Sequence, residues 1–129
     1  MDVKNLLNLS ATGMQAQRAR TEAIASNLAN ANVTKTEDGG PYQRQIPIFE
    51  LAEDGGVEMG ELERVQQFRK DYDPGHPHAD QDGYVLRPDI DIMTEMVDLM
   101  ESVRSYEANA NVVDVTKELV SRALAIGKG

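Results

Sequence analysis

The sequence predicts a mainly α fold: long N- and C-terminal helices forming a coiled-coil-like hairpin, with a small turn-rich β segment inserted between them. Three observations carry that reading. Both ends of the chain repeat apolar residues in alternating steps of four and three, the spacing of a heptad seam. All five prolines and seven of the ten glycines fall in the middle. The acid excess is also in the middle: residues 37–91 hold fourteen acidic and five basic side chains, whereas residues 1–36 net +2 and residues 92–129 net −2. The expected divisions are therefore residues 1–36 and 92–129 for an inner helical domain, and residues 37–91 for an outer segment.

The N-terminal helix is expected from Val3 to about Ala31. Val3, Leu7, Ser10, Met14, Gln17, Thr21, Ile24, Leu28 and Ala31 lie on one stripe, and none of them is charged. Gly13 interrupts it at about 1 kcal/mol relative to alanine, which marks a kink or a close approach between helices. The helix should stop near Asn30 to Asn32, before β-branched Val33 and Thr34.

In the middle, Gly and Pro mark turns between short extended candidates: Tyr42 to Leu51, Val57 to Met59, Arg64 to Tyr72 and Gly83 to Leu86. Pro47 cannot donate to a ladder, so the first of these should be an edge or irregular strand. A small hairpin or a three-stranded sheet is expected. The run Asp73 to Pro88 has too many turn residues for regular structure.

The C-terminal helix is the clearest element. From Met93 to Ile126 no Gly or Pro intervenes, and Asp91 or Thr94 is placed to cap it. Ile92, Met96, Leu99, Val103, Tyr106, Ala110, Val113, Lys117, Val120 and Leu124 form a single row that is apolar or aromatic except at Lys117. A two-helix hairpin leaves its outer faces in water, and small domains of this kind rarely stand alone. The terminal helices are thus expected to become firm only when several subunits pack together.

Chemistry is poorly represented. There is no cysteine, no nucleophile-elbow motif and no phosphate-binding loop. His76, His78, Asp80 and Asp82 have metal-binding side chains, but their Gly and Pro neighbours read as turns, and Asp80-Gln81-Asp82-Gly83 fails the spacing of a calcium loop. No enzyme, cofactor or metal is expected. A net charge of −9 repels phosphate backbones and argues against nucleic acid. Lys4, Asn5 and Asn8 interrupt the N-terminal apolar residues, so the start does not read as a cleaved signal, and no run is long enough to insert in a membrane.

Ser10 to Arg18 (SATGMQAQR) and Ile24 to Asn32 (IASNLANAN) resemble the shared N-terminal signature of flagellar rod and hook proteins. Tyr72 to Asp80 (YDPGHPHAD), Asp82 to Val85 (DGYV) and Pro88 are similar to the proximal-rod group within that family. Glu95 to Met100, Ser105 to Asn109 and Arg122 to Leu124 fit the same group, so the resemblance spans nearly the whole chain. Val33 replaces an expected hydroxyl residue, and the acidic stretch Glu53 to Glu61 has no residue-by-residue match.

The resemblance implies a structural subunit of the bacterial flagellar basal body. It would be exported through the flagellum's own type III apparatus without a cleaved signal. It would polymerise in the periplasm into the rod, a drive shaft between membrane ring and hook. Its partners would be copies of itself, other rod proteins, and proteins at the junction with the membrane ring and export gate, with no small-molecule substrate. The alternative is a soluble helical adaptor of such an export system. In the rod reading Met96, Leu99, Val103, Tyr106, Val113, Val120 and Leu124 lock against Leu7, Met14, Ile24 and Leu28 of the same or adjacent subunits. Asn27, Asn30, Asn32 and Asn109 hydrogen-bond across those contacts.

Overall fold

A computed structural model describes residues 2–128. The element order is α1 (Val3–Ala29), β1 (Arg44–Leu51), β2 (Val57–Val65), β3 (Phe68–Tyr72), β4 (Tyr84–Pro88) and α2 (Ile92–Lys128). Two long helices with strands between them match the predicted class.

α1 starts where Asp2 caps it: the carboxylate accepts from the Asn5 N–H at 2.7 Å. It ends at Asn30, whose backbone N–H and side-chain amide both donate to the Ser26 carbonyl. The helix runs through Gly13 without a break. A Cβ there would lie 3.1 Å from the Asn109 side chain, so glycine serves the close approach of α2. α2 is capped by Asp91, whose carboxylate accepts from the N–H groups of Met93 and Thr94, leaving Thr94 inside the helix.

The helices run antiparallel. Gly13 lies beside Asn109, and the hydroxyls of Thr21 and Ser102 share a hydrogen bond at 3.0 Å. Arg20 reaches Asp98 and Glu101 at 3.9 and 3.6 Å. Continuing that register brings Val3 beside Val120, and residues 121–128 run past the start of α1, all exposed.

The middle of the chain differs from the expected single sheet. β1 pairs with β2 and β3 with β4, giving two separate antiparallel hairpins. β2 is longer than predicted and passes through Gly60, because the ladder with β1 supplies hydrogen bonds that local propensity does not foretell. As expected, Pro47 sits at an irregularity: the register shifts between Pro47 and Phe49. The first hairpin lies along α1, so α1 is packed on two sides, by α2 and by β1–β2.

The apolar core is small: Ala16, Ala23, Ile24 and Ala31 on and just after α1, with Val85 in β4 and Ile90 just after it. Asn27, only 1% exposed, joins the first hairpin to α1. Its side-chain amide donates to the Gln45 carbonyl, and its oxygen accepts from the Gln45 N–H and the Tyr42 hydroxyl. Across the same seam the Arg44 guanidinium pairs with Glu95, the largest fully buried side chain.

Candidate assembly interface

The two helices spend their apolar residues differently. On α1 the buried positions are Ser10, Ala16, Ala23, Ile24 and Asn27. On α2 they are Glu95, Ser102 and Thr116, none of them apolar. Each lies one residue before a position of the predicted seam, so Met96, Val103 and Lys117 are turned about 100° away from the residues packed on α1, whereas Leu99, Val113 and Val120 of the same seam stay half-buried along it. The physical reason is size. Serine, asparagine and threonine let α2 approach Gly13 and the alanines of α1, and each satisfies its own polar group. Ser102 donates to the Leu99 carbonyl, Asn109 to that of Ser105, and Thr116 to that of Val112.

The large side chains are left outside. Met93, Val97, Met100, Val115, Leu119, Leu124 and Ile126 are each at least half exposed. So many large apolar side chains left in solvent on one helix are unusual for a free-standing monomer and make α2 the candidate interaction element.

The fifteen expected interface residues divide into three groups. Met96, Val103, Tyr106 and Leu124 of α2 are exposed, as is Asn32 in the loop after α1. Leu7, Met14 and Leu28 on α1 and Leu99, Asn109, Val113 and Val120 on α2 are half-buried along the helix pair, as is Asn30 at the α1 cap. Ile24 and Asn27 are buried within the chain. The hydrogen bonds found for Asn27, Asn30 and Asn109 are all internal: to the start of β1, to the α1 cap and to the preceding turn of α2. The predicted row leaves out five further exposed apolar residues of α2: Met93, Val97, Met100, Val115 and Leu119. They lie off the heptad row, and the signal was simply their apolar character on a helix with charged neighbours.

The second hairpin carries the His-rich turn. The imidazole Nδ1 of His78 and the Thr34 hydroxyl are 2.7 Å apart, and the His76 Nδ1 accepts from the His78 N–H. The Asp80 carboxylate accepts from the N–H groups of Asp82 and Tyr84, closing the turn around Gly83, whose φ of 85° suits glycine. Among the described residues no group of three or more His, Asp or Glu is placed to hold a metal ion. No helix among them is long and apolar enough to cross a membrane.

Two family models match the chain. Residues 7–35 match the "Flagella basal body rod protein" family, and residues 81–126 match "Flagellar basal body rod FlgEFG protein C-terminal". These ranges cover most of α1 and α2, the elements that make the helical hairpin. Over 99% of both chains, the sequence is 43% identical to the flagellar basal-body rod protein FlgC of Aquifex aeolicus (strain VF5). It is 34% identical to the same-named protein of Borreliella burgdorferi over 100% of both chains. With that of Bacillus subtilis (strain 168) it shares 35% identity over 95% of this chain and 96% of the relative.

Proposed function

This chain belongs to the FlgC family of flagellar basal-body rod proteins and is a structural, non-enzymatic rod subunit; from that premise we propose that it enters the rod by burying the outer face of α2 against neighbouring subunits. The observation that carries the proposal is the inversion of α2, with polar residues toward its own chain and methionine, valine, leucine and isoleucine away from it. Burial of each large apolar side chain contributes roughly 1.5–3 kcal/mol. The dozen large apolar residues exposed on α2 therefore form the main reserve of association energy in the molecule.

In this reading residues 1–36 and 92–129 form the inner, assembling domain, and the acidic residues 37–91 face outward. Met96, Leu99, Val103, Tyr106, Val113, Val120 and Leu124, joined by Met93, Val97 and Met100, meet Leu7, Met14 and Leu28 of adjacent subunits in a coiled-coil-like wall. Asn32 and the cap at Asn30 lie where a neighbour can hydrogen-bond to them. Unlike surfaces meeting head to tail produce an open helical array rather than a closed dimer. Torque is then carried by interlocked side chains, with no chemical step. Export through the flagellum's type III apparatus without a cleaved signal, and contact with the membrane-ring and export-gate junction, complete the proposal. The adaptor alternative is not favoured, because the relatives are rod proteins along their whole length.

The test is substitution on the exposed face. Leu124→Asp places a charge where an apolar neighbour is expected and leaves the free chain's packing untouched, because Leu124 is 61% exposed. Cells carrying it should build no rod and lose motility. Normal rods with Leu124→Asp would remove the end of α2 from the interface.

A further inference from the structure

Two surfaces, one acidic and one carrying two lysines outside any ion pair among the described residues, lie toward opposite ends of α1. The first is the end of the β1–β2 hairpin. From Pro47 to Glu63 there are six acidic side chains and no basic one. Glu50 stands directly opposite Glu58 in the ladder. Like charges so placed are destabilising, and no cation within the hairpin end relieves them. Beside them Leu51 is 82% exposed, the most exposed large apolar residue of the described chain.

The second surface is a groove of about 480 Å³ between the loop after α1 and the β3–β4 hairpin. Lys35 and Lys70 line it together with Tyr84, Leu86 and His78. Neither lysine enters an ion pair among the described residues. The one acidic residue on the wall, Asp80, has an oxygen engaged by two backbone N–H groups of its own turn. The wall of the groove thus carries two lysines against one carboxylate, a net of +1, beside the apolar surface of Tyr84 and Leu86, and can receive an acidic tip with an exposed leucine.

One chain cannot join the two. The tip is tied to the first half of α1, by Asn8 donating to Asp54 at 2.9 Å and by the Val57 N–H reaching the Thr12 hydroxyl at 3.3 Å. The groove lies beyond the other end of α1, at Thr34 and Lys35. The helix from Thr12 to Asn27 alone rises about 22 Å at about 1.5 Å per residue. Complementary surfaces toward opposite ends of α1 make a heterologous contact that repeats along an axis.

We propose that the acidic end of the β1–β2 hairpin of one copy docks in the Lys35–Lys70 groove of a second copy. This gives the rod subunit an outer contact in addition to that of α2, and it rests on the reading that these subunits stack in a rod. Glu50, Glu53 and Glu58 supply the charge, and Leu51 enters between Tyr84 and Leu86.

A zero-length carbodiimide, which joins a carboxylate to a lysine amine only when they touch, tests this on the full chain. Isolated basal bodies from cells expressing an equal mixture of unlabelled and ¹⁵N-labelled subunit should yield peptides linking Lys35 or Lys70 to Glu50, Glu53 or Glu58 in mixed isotope pairs. Lys35→Glu with Lys70→Glu should reduce rod assembly at least tenfold, and the arginine pair should not. Adding Glu50→Lys, Glu53→Lys and Glu58→Lys to the glutamate pair should restore it. Normal assembly with Lys35→Glu and Lys70→Glu overturns the proposal. So does a loss that the charge swap fails to restore, or a groove whose lysines link only to a different protein. Each of these results leaves the α2 interface standing, since that interface is read separately through Leu124→Asp.

Discussion

α1 and α2 are both long, both amphipathic by heptad spacing, and packed against each other, yet they are opposite in what they bury. α1 is held between α2 and the β1–β2 hairpin, and Val3 is its only exposed large apolar residue. α2 leaves a dozen such residues in solvent and lays serine, threonine, asparagine and glutamate against its partner. A heptad row shows that a helix will be packed, not by whom. In α1 the large apolar residues are mostly covered inside the chain; in α2 they are mostly left in solvent.

That contrast fixes the expected consequences of substitution, and the largest concerns the joint that ties the strands to both helices. Arg44→Ala leaves Glu95, 2% exposed, without its counter-charge, and one of its oxygens already has no partner. The loss should be about 3–5 kcal/mol in urea denaturation of the free chain. A loss below about 1 kcal/mol would show that α2 is not held there.

Ile24→Ala, in the buried face of α1, should cost about 2–4 kcal/mol in the same measurement, the range for truncating a buried aliphatic side chain. Asn27→Ala should cost about 2 kcal/mol, because the Gln45 N–H and carbonyl lose their side-chain partner in a buried site, while the Tyr42 hydroxyl keeps only Ser26. The asymmetry predicts that Met100→Ser, on the exposed side of α2, stays within about 0.5 kcal/mol of the parent. Its effect should appear only when rods are counted. If Met100→Ser destabilises the free chain as much as Ile24→Ala does, the two helices are not different in kind.

The smallest effect sharpens the comparison along α2 itself. Beyond Val120 the helix has no partner, and all its described residues are exposed. Limited proteolysis of the free chain should therefore cut within residues 121–128 before it cuts α1. The sequence-based expectation treats both ends as equally loose; equal cleavage of the two would return to it.

The helices were legible in the sequence because their evidence is local: period, an uninterrupted run, Asp91 before α2, and asparagines at the end of α1. The face that α2 presents to α1 was not. Ser102, Asn109 and Thr116 carry no hydropathy signal, and the reason they are inside, the close approach at Gly13, involves residues far apart in sequence. The heptad row therefore named a mixture, with Leu99, Val113 and Val120 along the pair and Met96, Val103 and Leu124 outside it. The Arg44–Glu95 pair and the bonds of Asn27 to Gln45 join distant segments for which no spacing rule exists. β2 was shortened for a related reason: its three Glu residues and Gly60 have poor strand propensity, and pairing with β1 overrides it.

The chain has no cysteine, so a single one introduced at Met100 reports on that position alone. Its rate of reaction with a maleimide can be compared between the free chain and isolated basal bodies. Met100 is 64% exposed in the single chain, so the free protein should label rapidly. In the rod the same position should be protected by at least a hundredfold. Equal labelling in both states would mean that the outer face of α2 stays in water after assembly, contrary to the account given of it.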